Sequence, residues 1–289
     1  PTYVSSSYIF LFILFGAFLE QAGMIRLFND FAMGTVGHTR GGPAKVAVVT
    51  SGLMGTINGS GVANVVTTGQ FTIPLMKRFG YSSAFAGGVE ATSSMGGQIM
   101  PPVMGAVAFI MAETINVPYI EVCKAALIPA ILYFVTAFWM VHLEAGHKHL
   151  LGLPKDECPN PWAAIRRQWF LPIPLIGLVG LLFSGYTPLF SGTVGLALTA
   201  ILIFAAACMQ GIRGTALRVV FWVLLALATA GFFKLGVGAF FVVIALLVAL
   251  TYLLRTGQDA RRLAVQALVD GARHALPVAI ACALVGVII

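Results

Sequence analysis

Two stretches of this sequence combine helix-breaking residues with neutral, oxygen-bearing side chains in apolar surroundings. The first covers residues 56–64 (TINGSGVAN), within a charge-free run at 46–76, and the second covers residues 96–102 (GGQIMPP). Helix N-termini offer free N–H groups to anions, and helix C-termini offer free carbonyl groups to small hard cations. Two breaks of this kind indicate a place where a solute or an ion is bound.

Hydroxyl, amide and carbonyl oxygens near the breaks supply candidate ligands. No carboxylate stands among them, so a monovalent ion such as Na⁺ fits better than a divalent metal. The residues predicted to hold Na⁺ are Ser60, Asn64, Gly97 and Pro101. The residues predicted to bind a substrate are Asn58, Gly59, Ser60, Gly61, Thr67, Thr68, Gln98 and Pro102. Further hydroxyls near the second break belong to Thr92, Ser93 and Ser94.

Glu90 is the one acidic residue well inside an apolar stretch. An intramembrane acid is a functional candidate by default, but Glu90 also fits the end of its helix, close to Lys77 and Arg78. Both alternatives stay open. A further polar tract resembles a metal site but lies in a basic loop, which favours charges facing lipid headgroups: His142, Glu144, His147 and His149.

The composition places these residues in a membrane protein. Of 289 residues, 59% are apolar and 9% charged, and the mean hydropathy is +0.94. Soluble domains carry about 25% charged residues, so soluble enzymes and nucleic-acid-binding modules are excluded. The net charge of +7 reflects basic residues between apolar runs, where lipid headgroups and topology require them. Four scattered cysteines suggest neither disulfides nor zinc.

The sequence predicts an all-α, multi-pass helical bundle. Predicted spans cover residues 3–19, 120–141, 170–190, 193–210, 217–233 and 235–254. A loop is predicted at 142–168 and an interfacial amphipathic helix at 255–273. Because the chain begins and ends at or near apolar runs, we expect it to be the middle of a longer protein.

The charge-free run 46–76 is too long for one comfortable span and too short for two. Glycines in its middle favour two half-helices, at about 44–56 and 62–78, which form a re-entrant hairpin. This arrangement places 15 of the 17 basic residues on one side of the membrane, against 12 for a single crossing. The positive-inside rule therefore favours the hairpin and a cytoplasmic base. Pro101 and Pro102 likewise break a helix at 82–95 from a second half at 103–115.

The segments 41–47 (GGPAKVA), 58–65 (NGSGVANV), 80–87 (GYSSAFAG) and 96–105 (GGQIMPPVMG) resemble the large membrane subunit of TRAP transporters, the tripartite, ATP-independent, periplasmic-binding-protein-dependent carriers. The match covers about residues 9–150 and is closest to the permeases in which small and large subunits are fused. Asn58 and Val103 stand where the wider family usually has serine.

The resemblance implies the first half of an inverted-repeat, elevator-type secondary transporter in a bacterial inner membrane. Such a carrier imports organic acids, such as C4-dicarboxylates or other carboxylates, with Na⁺ and receives them from a periplasmic binding protein. The implied division is a transport region at 1–142, a cytoplasmic loop at 143–169, four helices at 170–254 and the start of the second repeat at 255–289.

Two alternatives to a Na⁺-coupled carrier stay open, and a third is disfavoured. An ion channel is also lined by broken helices, and a proton-coupled carrier would use Glu90 first. An intramembrane serine protease would use Ser60 as its nucleophile. Every histidine lies at a segment end or in a loop, so none is expected within hydrogen-bond distance of Ser60, where a general base must lie. The sequence therefore predicts that the chain is not an enzyme.

Overall fold

The computed structural model describes residues 8–211, 215–230, 236, 238–253 and 258–288. Within these ranges the regular elements are helices and no β-strand occurs, which agrees with the predicted all-α class. The first seven helices are α1 (Phe10–Gln21), α2 (Met24–Val36), α3 (Gly42–Asn58), α4 (Gly61–Arg78), α5 (Ser83–Gly96), α6 (Ala106–Thr114) and α7 (Tyr119–His147). The later helices are α8 (Pro161–Arg167), α9 (Ile173–Phe183), α10 (Pro188–Gly211), α11 (Thr215–Ala230), α12 (Gly238–Leu253) and α13 (Gln258–Ile288).

Apolar helices of membrane-spanning length are present in the described part of the chain. By length and composition, α7 and α10 are each able to cross a bilayer. Helices α1 and α2 together count as a third span if their 66° bend lies within it. These helices agree with a multi-pass membrane protein. Residues 3–7 of the first predicted span lie outside the described residues.

Helices α3 and α4 form the hairpin predicted around residue 60, with ends within two residues of those expected. Helix α3 stops because Gly59 adopts a left-handed φ of +56°, which favours glycine. Helix α4 starts after Ser60, whose Oγ accepts a hydrogen bond of 3.3 Å from the backbone N–H of Ala63. The re-entrant position of this hairpin in a bilayer stays a prediction.

The second predicted break also exists, but it is longer than expected. A short 3₁₀ turn (Gly97–Ile99) follows α5, and α6 begins at Ala106, three residues later than the predicted start at Val103. The N–H of Gly105 closes the loop by donating to the carbonyl of Gln98 at 2.7 Å. Val103 and Met104 therefore lie buried in the loop instead of starting the helix.

The predicted span at 170–190 is wrong. Helix α9 has 11 residues, which rise about 16 Å and fall short of a hydrocarbon core of about 30 Å. Gly185 ends it with a left-handed φ of +85°, and Pro188 starts α10. The turn between α9 and α10 therefore lies before Pro188.

Two other boundaries differ from the expected ones. Helix α7 continues to His147, so the first residues of the predicted loop are helical, and α8 lies within that loop. The expected amphipathic segment 255–273 is part of the continuous helix α13, which Pro277 does not interrupt; residues 255–257 lie outside the described part. Helix α13 packs on α1, where Gln21 Nε2 donates to Asp270 Oδ2 at 2.9 Å. The division into four regions stays a prediction.

Candidate functional site

The two chain breaks lie against each other. A Cβ atom added to Gly55 would lie 2.4 Å from Gly97 Cα, and one added to Gly61 would lie 2.4 Å from Met95 Sδ. At the hairpin tip, a Cβ on Gly59 would lie 1.8 Å from the carbonyl oxygen of Met104. Because glycine carries no side chain, the backbone of the hairpin approaches the backbone of the second break at Gly55 and Gly59, and it approaches the side chain of Met95 at Gly61.

Asn64 and Gly97, both predicted to hold Na⁺, are neighbours in the structure. Asn64 is fully buried; its Nδ2 donates to the carbonyl of Ser51 at 2.9 Å and would lie 3.2 Å from a Cβ on Gly97. The Oγ of Ser60 instead caps α4, where it accepts a hydrogen bond from the backbone N–H of Ala63. Pro101 is part of the same loop and is half-buried.

Some of the residues predicted to bind substrate are buried and hydrogen-bonded within the protein, and others are partly accessible. Thr68 is fully buried and hydrogen-bonds to Glu90, and the carbonyl of Pro102 accepts a hydrogen bond of 2.8 Å from the Tyr119 hydroxyl. Asn58 is buried and donates from Nδ2 to Glu20 Oε1 at 3.0 Å. The half-buried residues with polar side chains are Ser60, Thr67 and Gln98.

Glu90 is completely buried within α5, so it does not lie among the exposed basic residues, and its role as a functional acid stays a prediction. Its carboxylate contacts Ser94 Oγ at 3.0 Å and Ser51 Oγ at 3.3 Å, and it also accepts hydrogen bonds from the hydroxyls of Thr68 and Thr72. It forms no ion pair with the exposed residues at the end of α4, Lys77 and Arg78. Within the described residues Arg78 instead pairs with Glu157, at 3.6 Å.

Three polar residues at the site were missed by the sequence analysis. Glu20 directly follows the first predicted span, and its carboxylate accepts a hydrogen bond from Asn58 at the hairpin tip. Ser51 and Thr72 face Glu90 from α3 and α4. The spacing of Thr68 and Thr72, four residues apart, could have shown that both hydroxyls share a helix face.

The base of the hairpin is basic and partly buried. Lys45 is buried, with its Nζ 3.3 Å from Thr39 Oγ1 and 4.9 Å from the ring centroid of Phe138. In the turn between α4 and α5, burial and then the nearby charge of Glu144 raise the pKa of Tyr81 to about 12. Tyr81 therefore stays protonated at physiological pH.

The histidine-containing tract forms no metal site in the structure. His142, Glu144 and His147 lie on α7, and Glu144 pairs with Lys148 at 2.6 Å. Across the part of the chain that the structure describes, no three His, Cys, Asp or Glu side chains are placed to share a metal ion.

A cavity of about 890 Å³ lies beside α5, between this helix and α7. Its lining is mainly apolar and includes Val89, Leu132 and Met140. None of the residues predicted to bind Na⁺ or substrate lines it. The junction of the two breaks is therefore a separate feature from this lateral cavity.

The sequence profile of a protein family spans almost the entire chain, matching residues 3–289. That family is described as the DctM component of the tripartite ATP-independent periplasmic transporters. The chain belongs to this family. DctM-family proteins are parts of transporters and not enzymes, so the intramembrane protease is excluded.

Individual relatives agree with the DctM assignment. The C4-dicarboxylate TRAP transporter large permease protein of Pseudomonas aeruginosa is 31% identical over 61% of this chain and 41% of its own length. The sialic acid TRAP transporter large permease protein of Vibrio cholerae is 26% identical over 61% of this chain and 41% of its own length. The sialic acid TRAP transporter permease protein SiaT of Haemophilus influenzae is 27% identical over 66% of this chain and 31% of its own length. The aligned part of this chain spans less than half of each relative.

Proposed function

We propose that this DctM-family chain is the first half of a permease that imports organic acids together with Na⁺. The observation that carries the proposal is the meeting of two uncharged chain breaks, which brings Gly55 of the hairpin against Gly97 of the interrupted helix. Irregular backbone is tolerated at membrane depth where it lines a cavity or is buried in protein, and paired broken helices are a common binding arrangement in carriers.

Na⁺ would bind between the two breaks, with Asn64 as one of its ligands. The Nδ2 of Asn64 faces Gly97 and Ser51, so the ion would lie on the side of Oδ1. Among the described residues, Oδ1 contacts the Thr68 hydroxyl at 3.4 Å and retains acceptor capacity. Backbone carbonyl groups of Gly97 and Pro101 and the hydroxyl of Ser60 would complete a set of neutral oxygens. A ligand set of neutral oxygens without a carboxylate suits a monovalent ion better than Ca²⁺ or Mg²⁺.

The substrate would be an organic acid, as the names of the relatives suggest with C4-dicarboxylates and sialic acid. No Lys or Arg occurs at 56–64 or 96–105. A carboxylate would therefore meet the N-terminal N–H groups of α4, beside Ser60 and Gly61. Thr67 and Gln98 are the accessible polar neighbours, whereas Asn58, Gly59, Thr68 and Pro102 would shape the site through their backbone and buried contacts.

The full-length protein would lie in a bacterial inner membrane. The tripartite, periplasmic character of the family supports delivery of its substrate by a periplasmic binding protein. We further propose that the hairpin is re-entrant and that the chain is the first of two inverted repeats in an elevator-type carrier. Membership of the subgroup with fused small and large subunits belongs to the same proposal.

We expect the hairpin base to face the cytoplasm. Single cysteines at positions 40 and 77 of a cysteine-free full-length protein would report this by labelling with an impermeant thiol reagent. Arg40 and Lys77 are exposed near the base, whereas Lys45 is too buried to serve. Positions 40 and 77 should both react from the cytoplasmic side. Labelling of 40 and 77 from opposite sides would contradict the hairpin.

We expect uptake to require Na⁺, and Asn64→Ala to lower the apparent Na⁺ affinity more than the substrate affinity. The substitution removes one neutral oxygen; loss of about 1.4 kcal/mol of binding would raise the half-saturating Na⁺ concentration about tenfold. Uptake would be measured in proteoliposomes at fixed membrane potential over a range of Na⁺ concentrations. Gln70→Ala, an exposed amide on the same helix, is the matched control. Undiminished uptake without Na⁺ would overturn the assignment of the coupling ion.

A further inference from the structure

The carboxylate of Glu90 is enclosed by hydroxyl groups from the three helices that carry the breaks. Ser51 belongs to α3, Thr68 and Thr72 to α4, and Ser94 to α5, the helix of Glu90 itself. Ser51, Thr68 and Glu90 are each completely buried. The carboxylate therefore joins both arms of the hairpin to the helix that leads into the second break.

Among the residues that the structure describes, this buried acid has no counter-ion. The elements packed against α5 are α3, α4, the 3₁₀ turn and α7. Their charged and titratable side chains are Lys45, Lys77, Arg78, Tyr119, Glu121, Cys123, Lys124, Tyr133, His142, Glu144 and His147. Within the described ranges none of these bonds to Glu90: the Lys45 amino group reaches Thr39, and the Tyr133 hydroxyl donates to the carbonyl of Thr92. A lone buried carboxylate is costly as an anion.

The hydroxyl groups satisfy Glu90 in either protonation state. Each hydroxyl has one hydrogen and two acceptor lone pairs. Thr68 Oγ1 lies 2.7 Å from the carbonyl of Asn64, and Thr72 Oγ1 lies 3.0 Å from the carbonyl of Thr68. With Glu90 ionised, these hydroxyls turn their hydrogens to the carboxylate. With Glu90 protonated, one of them turns its hydrogen to the helix carbonyl and accepts a hydrogen bond from the carboxyl group.

We propose that Glu90 binds a proton that is carried with the substrate, as a second coupling ion beside Na⁺. A proton from water on one side of the membrane adds to a carboxylate oxygen, and the resulting O–H bond breaks when the site opens to water on the other side. While the site is closed, a change in the protonation of Glu90 needs only rotation of the surrounding hydroxyl hydrogens, and the heavy atoms move only when the site opens to water. This assignment rests on the proposed carrier function, because it requires the site to face each side in turn.

Proteoliposomes with the full-length permease and its binding protein test the assignment, with equal Na⁺ on both sides and the membrane potential clamped at zero. An acid-outside pH gradient should raise wild-type uptake severalfold, and a pH dye in the lumen should report acidification that depends on substrate. Glu90→Gln imitates the protonated carboxyl group, so it should exchange substrate yet lose both responses. Glu113→Gln, an exposed acid on α6, should keep them.

The outcomes separate this assignment from Na⁺ coupling. The proton site is overturned if the rate of wild-type uptake does not depend on the pH gradient and no substrate-dependent acidification occurs. This result counts even if Glu90→Gln fails to fold. Retention of both responses by Glu90→Gln overturns it as well and leaves Glu90 a structural link between the helices. Failure of a Na⁺ gradient to drive uptake would instead contradict the proposed function, because the pH experiment contains no Na⁺ gradient.

Discussion

Proteoliposomes that contain the full-length permease should take up labelled organic acid only after the cognate binding protein, loaded with substrate, is added. Both breaks offer neutral oxygens and backbone dipoles, and neither sequence, 56–64 or 96–105, contains a basic residue. The strong bonds to carboxylates are the charge-assisted ones, often bidentate from arginine. This half of the site alone would therefore bind dilute substrate weakly, so we expect a separate high-affinity protein to capture the substrate.

The measurement is the initial rate of uptake under an inward Na⁺ gradient, with and without the loaded binding protein. Excess unliganded binding protein should compete with the loaded form and reduce the rate. A binding protein of unrelated specificity, loaded with its own ligand, is the control for non-specific effects. Comparable uptake in the absence of any binding protein would contradict the tripartite assignment.

Gly59→Ala and Gly55→Ala should each abolish or severely reduce uptake. An alanine at 59 would have to adopt a φ of +56° and would place its Cβ 1.8 Å from the Met104 carbonyl oxygen. At 55 the Cβ would lie 2.4 Å from Gly97 Cα, and overpacking of this kind typically costs about 1–3 kcal/mol. The two breaks would be forced apart, which displaces Asn64 from Gly97.

Gly87→Ala on α5 is the matched control, because its Cβ would meet nothing within 4 Å. Alanine favours a helix over glycine by about 1 kcal/mol, so this variant should unfold at an equal or higher temperature and keep its transport. Thermal unfolding in detergent and uptake in proteoliposomes would be measured for all three variants. Full activity of Gly55→Ala would show that the contact between the breaks is dispensable.

Local sequence signals predicted the ends of α3 and α4 to within two residues. Glycines at 59 and 61 and the capping Ser60 determine where α3 ends and α4 begins, and these are properties of neighbouring residues. Prolines 101 and 102 located the second break in the same way. Its extension to Gly105 was missed, because the loop is closed by the Gly105–Gln98 hydrogen bond and by the Tyr119 hydroxyl from α7.

Hydropathy was less reliable for the later helices. The run 170–190 is apolar throughout its helical part, so composition alone suggested one span. Gly185 and Pro188 instead divide it into a short α9 and the start of α10. Hydropathy measures transfer of side chains from water and carries little information about backbone turns, which depend on individual glycines and prolines.

The sequence by itself determined the membrane class, the family resemblance and the two uncharged breaks, because composition and short-range backbone preferences do not need a partner. The tertiary structure decided that the breaks touch, that Glu20 holds Asn58 and that four hydroxyls surround Glu90. These contacts join residues such as Ser51 and Glu90, which are 39 positions apart. Such pairs form only when close packing at glycines brings the helices together, and no local pattern in one sequence specifies that packing.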